Sequence, residues 1–529
     1  MRIIGSFSII WAFAVLYVCG ISVHRKNGHF EKTSSKQPHI VVIIADDLGW
    51  NDVGFHGSNQ IPTPNIDALA YYGVILNRHY VLPTCTPSRT AFLTGRYPIR
   101  AGMQGYPLKA GEPRGIPLDT VLLPEHLRRM GYSTHLVGKW HVGYFSENYT
   151  PARRGFDDFR GYYNGYIQYF NYTITQQNRT GYDFHRDTAT TLAADYTYGR
   201  TYLTDAISEE AESIIASHDP SKPLYLQISH GAPHSSDNDD TLEVRDMASV
   251  NATLGYVESI DRRNFIKLKF TLYEGGIRGA SCIYSPLIKD RSRISNQLVH
   301  ITDWLPTFYS AAGGDLADLG PIDGVDQWSA LSNYKETPRE SILLNIDEVA
   351  NLEGALAGRF KLVKGAVDLY GDYYGDSGSE PSNPKYNAEN VLKSLAGFAI
   401  SSQSKYTLSV SKIIELKEKA RVVCEDRTAP ANCSKYCLFD VIKDPCETAD
   451  VSLEYPHIVE VLNSFIDQYR PELMPQTNAD VDPASFPGHF NGVWMPWVKS
   501  AGQSTFLRSI HTPLQSVFLA AYTKLIARY

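Results

Sequence analysis

Several short stretches of this sequence carry side chains able to do chemistry together. Asp46 and Asp47 stand side by side after an apolar run, and Cys85 opens a Cys-Thr-Pro-Ser-Arg stretch that ends at Arg89. Lys139 and His141 flank Trp140, His234 follows Gly231-Ala232-Pro233, and Lys269 precedes Phe270-Thr271-Leu272-Tyr273. Adjacent carboxylates offer hard oxygen ligands for Ca²⁺ or Mg²⁺, and read alone the pair fits a solvated turn or helix cap equally well. Arginine and lysine grip anions, and histidine moves protons near neutral pH. Each residue also has a plainer place: a free or disulfide-bonded thiol at Cys85, a hydrogen-bonded core histidine at His141, a surface lysine at Lys269.

The elements that precede these residues single them out. Ile40 to Ala45 is an unbroken apolar run, expected as a buried parallel strand, and the two aspartates follow it directly. Ser133 to Gly138 reads as a strand followed by Lys139 and His141, and Leu224 to Ser229 as another followed by His230 and His234. Helices are expected at Pro64 to Val74, Ser88 to Leu93, Leu122 to Met130 (ended by Gly131) and Tyr202 to Ser217. In the last of these Leu203, Ala206, Ile207, Ala211, Ile214 and Ile215 share one side. This alternation implies an α/β sheet with helices on both faces, and such sheets bind ligands beyond the C-terminal ends of their strands. The aspartate pair, Lys139 with His141, and His234 should therefore converge on one rim. From about Leu331 the rhythm weakens, and a helix at Ser409 to Ala420 and a strand at Leu438 to Val441 suggest a smaller α+β domain. Tyr370 to Asn387 reads as a surface loop.

The chain has 529 residues and a formal net charge of -7, with 43% hydrophobic and 20% charged residues. That is globular composition, and it excludes a collagenous, coiled-coil or disordered protein. The acidic balance argues against a nucleic-acid partner, although an anionic substrate can still bind a locally basic cleft. Arg2, the apolar Ile3 to Val18, and the small residues Gly20 and Ser22 read as a secretory signal over residues 1–23, in preference to a membrane anchor of marginal length. No later stretch reads as a membrane span. Sequons at Asn148, Asn171, Asn178, Asn251 and Asn432 fit a glycosylated lumenal or secreted protein. Cys424, Cys433, Cys437 and Cys446 suit two disulfides of open connectivity, since no histidine stands at zinc-ligand spacing among them. Cys282 lies in an apolar run, expected as a buried thiol, and Cys85 stands alone in a polar, turn-rich setting.

With its Thr94-Gly95-Arg96 extension, the Cys85 stretch resembles the signature of the sulfatase family. Ala45-Asp46-Asp47-Leu48-Gly49 looks like that family's first metal motif, and Gly138-Lys139-Trp140-His141, His234 and Lys269 match its sulfate-binding and proton-transferring positions. Within the family the match points to the arylsulfatase B-like group, of N-acetylgalactosamine-4-sulfatase type, across roughly residues 37–498. The resemblance implies an alkaline-phosphatase-like mixed sheet flanked by helices, with a catalytic domain at 37–330, a C-terminal domain at 331–498 and an atypical tail at 499–529. It implies hydrolysis of a sulfated carbohydrate or aryl sulfate, one Ca²⁺ held by Asp46, Asp47 and the modified Cys85, and a secretory, lysosomal or extracellular location. It also implies that a formylglycine-generating enzyme converts Cys85 to formylglycine. The hydrate of that aldehyde carries two hydroxyls on one carbon: one attacks sulfur, and the other then loses its proton to expel sulfate. Arg89 would hold the hydrate, Lys139, His234 and Lys269 the sulfate, and His141 the proton of the second hydroxyl.

The sequence departs from the family at one place. Family members carry an Asp-Asn-Gly motif on a strand after the helix expected here at Asp246 to Arg262, but Arg262-Arg263-Asn264 runs straight on to Lys269. About forty residues are missing, the size of one central strand with its connections. Two neighbouring strands are then expected to lose a partner, Ca²⁺ to bind weakly, and turnover to suffer. The alternative function is a catalytically impaired homologue that binds sulfated glycans.

Overall fold

The computed structural model describes residues 16–19, 37–236, 243–254, 270–365, 383–404, 406–424 and 433–499. Among these, a seven-stranded sheet runs in the order Leu16–Cys19, His39–Asp46, Leu224–Pro233, Ser133–Lys139, Asp158–Tyr162, His185–Thr188, Leu192–Ala194. The four strands from His39–Asp46 to Asp158–Tyr162 pair in parallel, and the strands outside them pair antiparallel, so the sheet is mixed. Parallel strands buried on both faces need unbroken apolar runs, which is why Ile40, Val41, Val42 and Leu224, Tyr225, Leu226 form these ladders. The helix Leu203–Ser217 buries Leu203, Ala206, Ile207, Ala211 and Ile214. Each fully buried Leu or Ile side chain contributes about 1.5–3 kcal/mol. The helix Leu123–Arg129 also packs against the sheet through Leu123 and Leu127. The expected elements differ mainly at their ends. The first helix stops at Tyr72 because Val74–Leu76 pairs with Cys282–Ile283 as a strand. The signature helix spans Cys85–Thr94 and so contains the cysteine.

The outer edge of His39–Asp46 bears on the missing segment. Leu16–Cys19, inside the stretch expected as a leader, pairs with His39 to Val42. Ile43, Ile44 and Ala45 lie past that ladder and are partly exposed. The expectation of two strands left without partners is corrected here. Leu224–Pro233 bonds to neighbours on both sides, so the described sheet is continuous through its parallel strands. Residues 255–269, which include the end of the expected helix, lie outside the described residues, as does most of the expected loop at Tyr370 to Asn387.

A second, antiparallel sheet joins Ser341–Asp347, Leu352–Ala357, Phe360–Lys364 and Cys437–Asp440. The helix Pro456–Asp467 covers it with Val459, Leu462 and Ile466. Disulfides join Cys424 to Cys446 and Cys433 to Cys437, and Cys282 is a buried thiol outside both bridges. Leu272, Tyr273 and Ile277 share a core with Ile342, Leu344 and Phe439 of the second sheet. No helix among the described residues is long and apolar enough to cross a membrane.

Candidate active site

Strand register brings the expected residues together. Asp46 is the last residue of its strand and pairs with Pro233, one residue before His234, while Lys139 ends its own strand opposite Tyr162. Gly138 makes this crossing possible. Its φ is 98°, and a Cβ there would meet the Ser229 carbonyl oxygen at 2.0 Å. Beyond the strand ends the chain turns sharply, with Asp47 at φ 66° and His141 at φ 59°. Left-handed backbone at such residues is uncommon and clusters where geometry serves function.

The helix Cys85–Thr94 begins at the cysteine, which is partly exposed, and aims its N-terminal amides and positive dipole end into the site. Arg89, one turn on, donates from Nη1 to the Lys139 carbonyl at 3.0 Å, and its Nη2 lies 3.7 Å from Asp46 Oδ1. Lys139 is fully buried and donates from Nζ to Asp46 Oδ2 at 2.5 Å. A buried ammonium survives only when so paired.

His141 is fixed more tightly than its sequence position suggests. Its Nε2 lies 2.9 Å from the Leu108 carbonyl, which can only accept, so Nε2 carries the proton. Nδ1 is buried without a partner among the described residues and keeps its lone pair. Burial, reinforced by Lys139, holds this imidazole well below its usual pKa, so it is neutral. The Thr86 hydroxyl donates to the His141 carbonyl at 3.1 Å and accepts from the Leu108 N–H at 3.1 Å, tying the histidine to the residue beside Cys85. Gly165 leaves room for the ring, since a Cβ there would meet His141 Cε1 at 2.7 Å.

His234 donates from Nδ1 to the Ser235 carbonyl at 2.7 Å, which turns Nε2 toward Asp47 Oδ2, 3.5 Å away. Its ring stacks on Tyr166 at 5.7 Å between centroids, and Tyr169 donates its hydroxyl to the His234 carbonyl at 2.7 Å. A cavity of about 270 Å³ borders Asp46, Asp47, Cys85 and Arg89 and continues along Ile43 to Ala45. Lys269 lies outside the described residues. Thus Asp46, Asp47, Cys85, Arg89, Lys139, His141 and His234 come to one rim.

Asp46 and Asp47 supply hard oxygens, yet Lys139 and Arg89 already engage Asp46. Among the described residues no group of three or more His, Cys, Asp or Glu is placed to hold a metal. Ca²⁺ takes six to eight oxygens, so these side chains do not by themselves fit the ion that the resemblance implies.

Sequence reasoning missed the Leu108 carbonyl, the Thr86 hydroxyl and Tyr166. Thr86 was within reach, because it lies inside the Cys85 stretch. The carbonyl of Leu108 is a backbone group and carries no residue-type signal.

A sulfatase family profile matches residues 38–262. Mouse arylsulfatase J is 32% identical over 511 residues, covering 88% of this chain and 81% of that protein. Bovine arylsulfatase A is 28% identical over 413 residues, covering 66% of this chain and 80% of that protein. Among solved structures, Ps i-CgsB in complex with k-i-k-neocarrahexaose superposes with a TM-score of 0.61 at 20% identity, covering 91% of this chain and all of that one. The fold is therefore the alkaline-phosphatase-like mixed sheet of those structures. With a full-length relative at this identity and a profile that spans the rim from Asp46 to His234, the chain belongs to the sulfatase family.

Proposed function

We propose that this protein hydrolyses sulfate esters as an arylsulfatase B-like enzyme of the secretory pathway, with a sulfated sugar as its substrate. The observation that carries the reading is the pair of buried cations, Lys139 and Arg89, gathered on Asp46 beside the helix that begins at Cys85. When a formylglycine-generating enzyme has modified Cys85, formylglycine supplies a hydroxyl nucleophile and a second hydroxyl whose ionisation releases sulfate. The chain's own groups do the rest. Arg89 and the helix N-terminus favour negative charge at residue 85. Lys139 and Lys269 hold the sulfate oxygens and neutralise charge that builds as sulfur is attacked. His141 Nδ1, neutral and unpartnered, takes the departing hydroxyl proton, while Nε2 stays bonded to the Leu108 carbonyl and fixes the ring. His234 Nε2 gives a proton to the leaving oxygen, and Tyr166 and the Ser235 carbonyl orient it. The sulfatase relatives support a sulfated substrate, and the sequence resemblance to the arylsulfatase B-like group points to 4-sulfated N-acetylgalactosamine.

A second reading, a homologue that binds sulfated glycans without turnover, is favoured by the incomplete oxygen set around Asp46 and Asp47. Mass spectrometry of the Cys85 peptide, with sulfate release from an aryl sulfate and a panel of sulfated disaccharides, separates the two. Formylglycine with release from a 4-sulfated disaccharide supports the enzyme. Unmodified cysteine with tight glycan binding and no release supports the binder. A strict aryl preference sinks the glycosaminoglycan substrate.

A further inference from the structure

Two exposed aromatic rings stand on segments that bond to Pro83 and Thr84, just ahead of Cys85, and the chemistry proposed above leaves them unused. Tyr106 is 63% and Phe270 is 37% exposed, and their rings stack with centroids 5.3 Å apart and planes 23° from parallel. Both are pinned beside the helix that begins at Cys85. The Phe270 N–H donates to the Pro83 carbonyl at 3.2 Å, and Pro83 stands two residues before Cys85, a span of at most about 7 Å. On the other side, the Thr84 hydroxyl donates to the Gly105 carbonyl at 3.4 Å and Arg114 Nη2 to the Tyr106 carbonyl at 3.1 Å. Two residues further on, Leu108 holds His141.

Phe270 also sits at φ 75°, a left-handed conformation that a bulky side chain adopts only at an energetic cost. A buried ring would offset that cost through packing, but this one faces solvent beside Tyr106. The stacked pair Tyr163 and His185, by contrast, is buried. Strain, exposure and anchoring just ahead of the nucleophile coincide at Phe270.

Resting on the sulfate-ester reading, we propose that Tyr106 and Phe270 form a stacking platform for the ring that bears the sulfate, whether pyranose or aryl. Lys139 takes the sulfate group, Arg89 stays on residue 85, and the platform takes the apolar ring face. Aromatic faces pack well on flat apolar surfaces, and a ring so held keeps its ester oxygen aimed at residue 85. A small alkyl sulfate presents no such face and gains nothing from the platform.

The test is calorimetric titration of the full chain with 4-nitrophenyl sulfate, N-acetylgalactosamine 4-sulfate and methyl sulfate. It is repeated on Tyr106→Ala, Phe270→Ala and Tyr106→Phe. Both alanine variants should weaken the ring-bearing esters about tenfold relative to methyl sulfate, the scale of one lost aromatic contact. Tyr106→Phe keeps the face and should keep the wild-type ratio. Loss confined to the sugar or to the aryl ester supports the platform and assigns its ring. An unchanged ratio in Tyr106→Ala, whose exposed side chain can be removed without opening the core, overturns the platform even if Phe270→Ala fails to fold. Every titration is run in the Cys85→Ala background, so turnover does not consume the ester and the two readings can fail separately: a chain that binds none of the three esters refutes the sulfate-ester reading and the platform with it.

Discussion

Lys139 and Lys361 are both fully buried, and each lies 2.5 Å from a carboxylate oxygen, yet their clusters are built to opposite ends. Lys361 bonds Glu447 and, at 2.9 Å, Glu274, and Glu274 also meets Arg278 at 3.4 Å and accepts from the Tyr80 hydroxyl at 3.1 Å. Two cations face two carboxylates, and the cluster ties the Glu274–Ile277 turn to the second sheet. Around Lys139, among the described residues, Lys139 and Arg89 both turn to Asp46, while the neighbouring Asp47 faces His234. A buried nitrogen at His141 keeps its lone pair, Asp47 and His141 hold left-handed backbone, and a cavity opens alongside. A closed, balanced charge cluster holds structure together. One that leaves an open acceptor beside a cavity suits the anion site proposed above.

Breaking the closed cluster should cost the most. Lys361→Met leaves Glu274 and Glu447 buried without their shared cation, and removing one partner of a buried pair costs about 3–5 kcal/mol. Denaturant unfolding should show that loss. Lys139→Met should destabilise less, because Asp46 keeps Arg89. An equal loss in both variants would erase the distinction.

Turnover should show the reverse. Lys139→Ala and Lys269→Ala should each lower kcat on the order of a hundredfold, as loss of a charge-stabilising group does. Normal kcat in either variant would remove that residue from the anion site.

The two clusters should also differ in their response to pH. Burial, with the nearby charge of Glu274, pushes Glu447 up to about 7 against the pull of Lys361. Burial alone would raise Glu274 too, but Lys361 and Arg278 outweigh it and hold Glu274 below its usual range. A carboxyl raised on folding stabilises the native state at low pH, and that contribution is lost as pH climbs through the folded value. The stability of wild type minus that of Glu447→Gln should therefore fall between about pH 4.5 and 7, by up to about 1.4 kcal/mol per pH unit. A difference that rises with pH would mean that Glu447 is ionised throughout.

The smallest effect is at His141. Held neutral by burial and by Lys139, it should remain a competent base as pH drops through 6.5, so kcat should stay level there. An acid-side inflection near 6.5 would mean that the ring titrates freely.

Much of the rim was legible because parallel strands write themselves as apolar runs, and the residue after each run falls at the sheet's C-terminal end. Asp46, Lys139 and His234 were placed that way, with no need of a known relative. The signature helix and its Arg89 followed from a local stretch. Contacts between distant segments were not legible: the Leu108 carbonyl under His141, the Tyr166 ring on His234, and the Glu274–Lys361–Glu447 cluster join residues whose spacing carries no periodic signal. Disulfide connectivity was open for the same reason. The lost strand was expected inside the sheet with two neighbours left unpaired, whereas the described parallel strands pair without a break, an order that depends on contacts between distant segments.

The most direct test of the central claim is sulfate release from an aryl sulfate by the wild-type chain and by Cys85→Ala, with calorimetric binding of the same ester as a control. The account predicts release by wild type, a fall of at least about a thousandfold in Cys85→Ala, and retained binding through Lys139. Wild-type turnover in Cys85→Ala would contradict it.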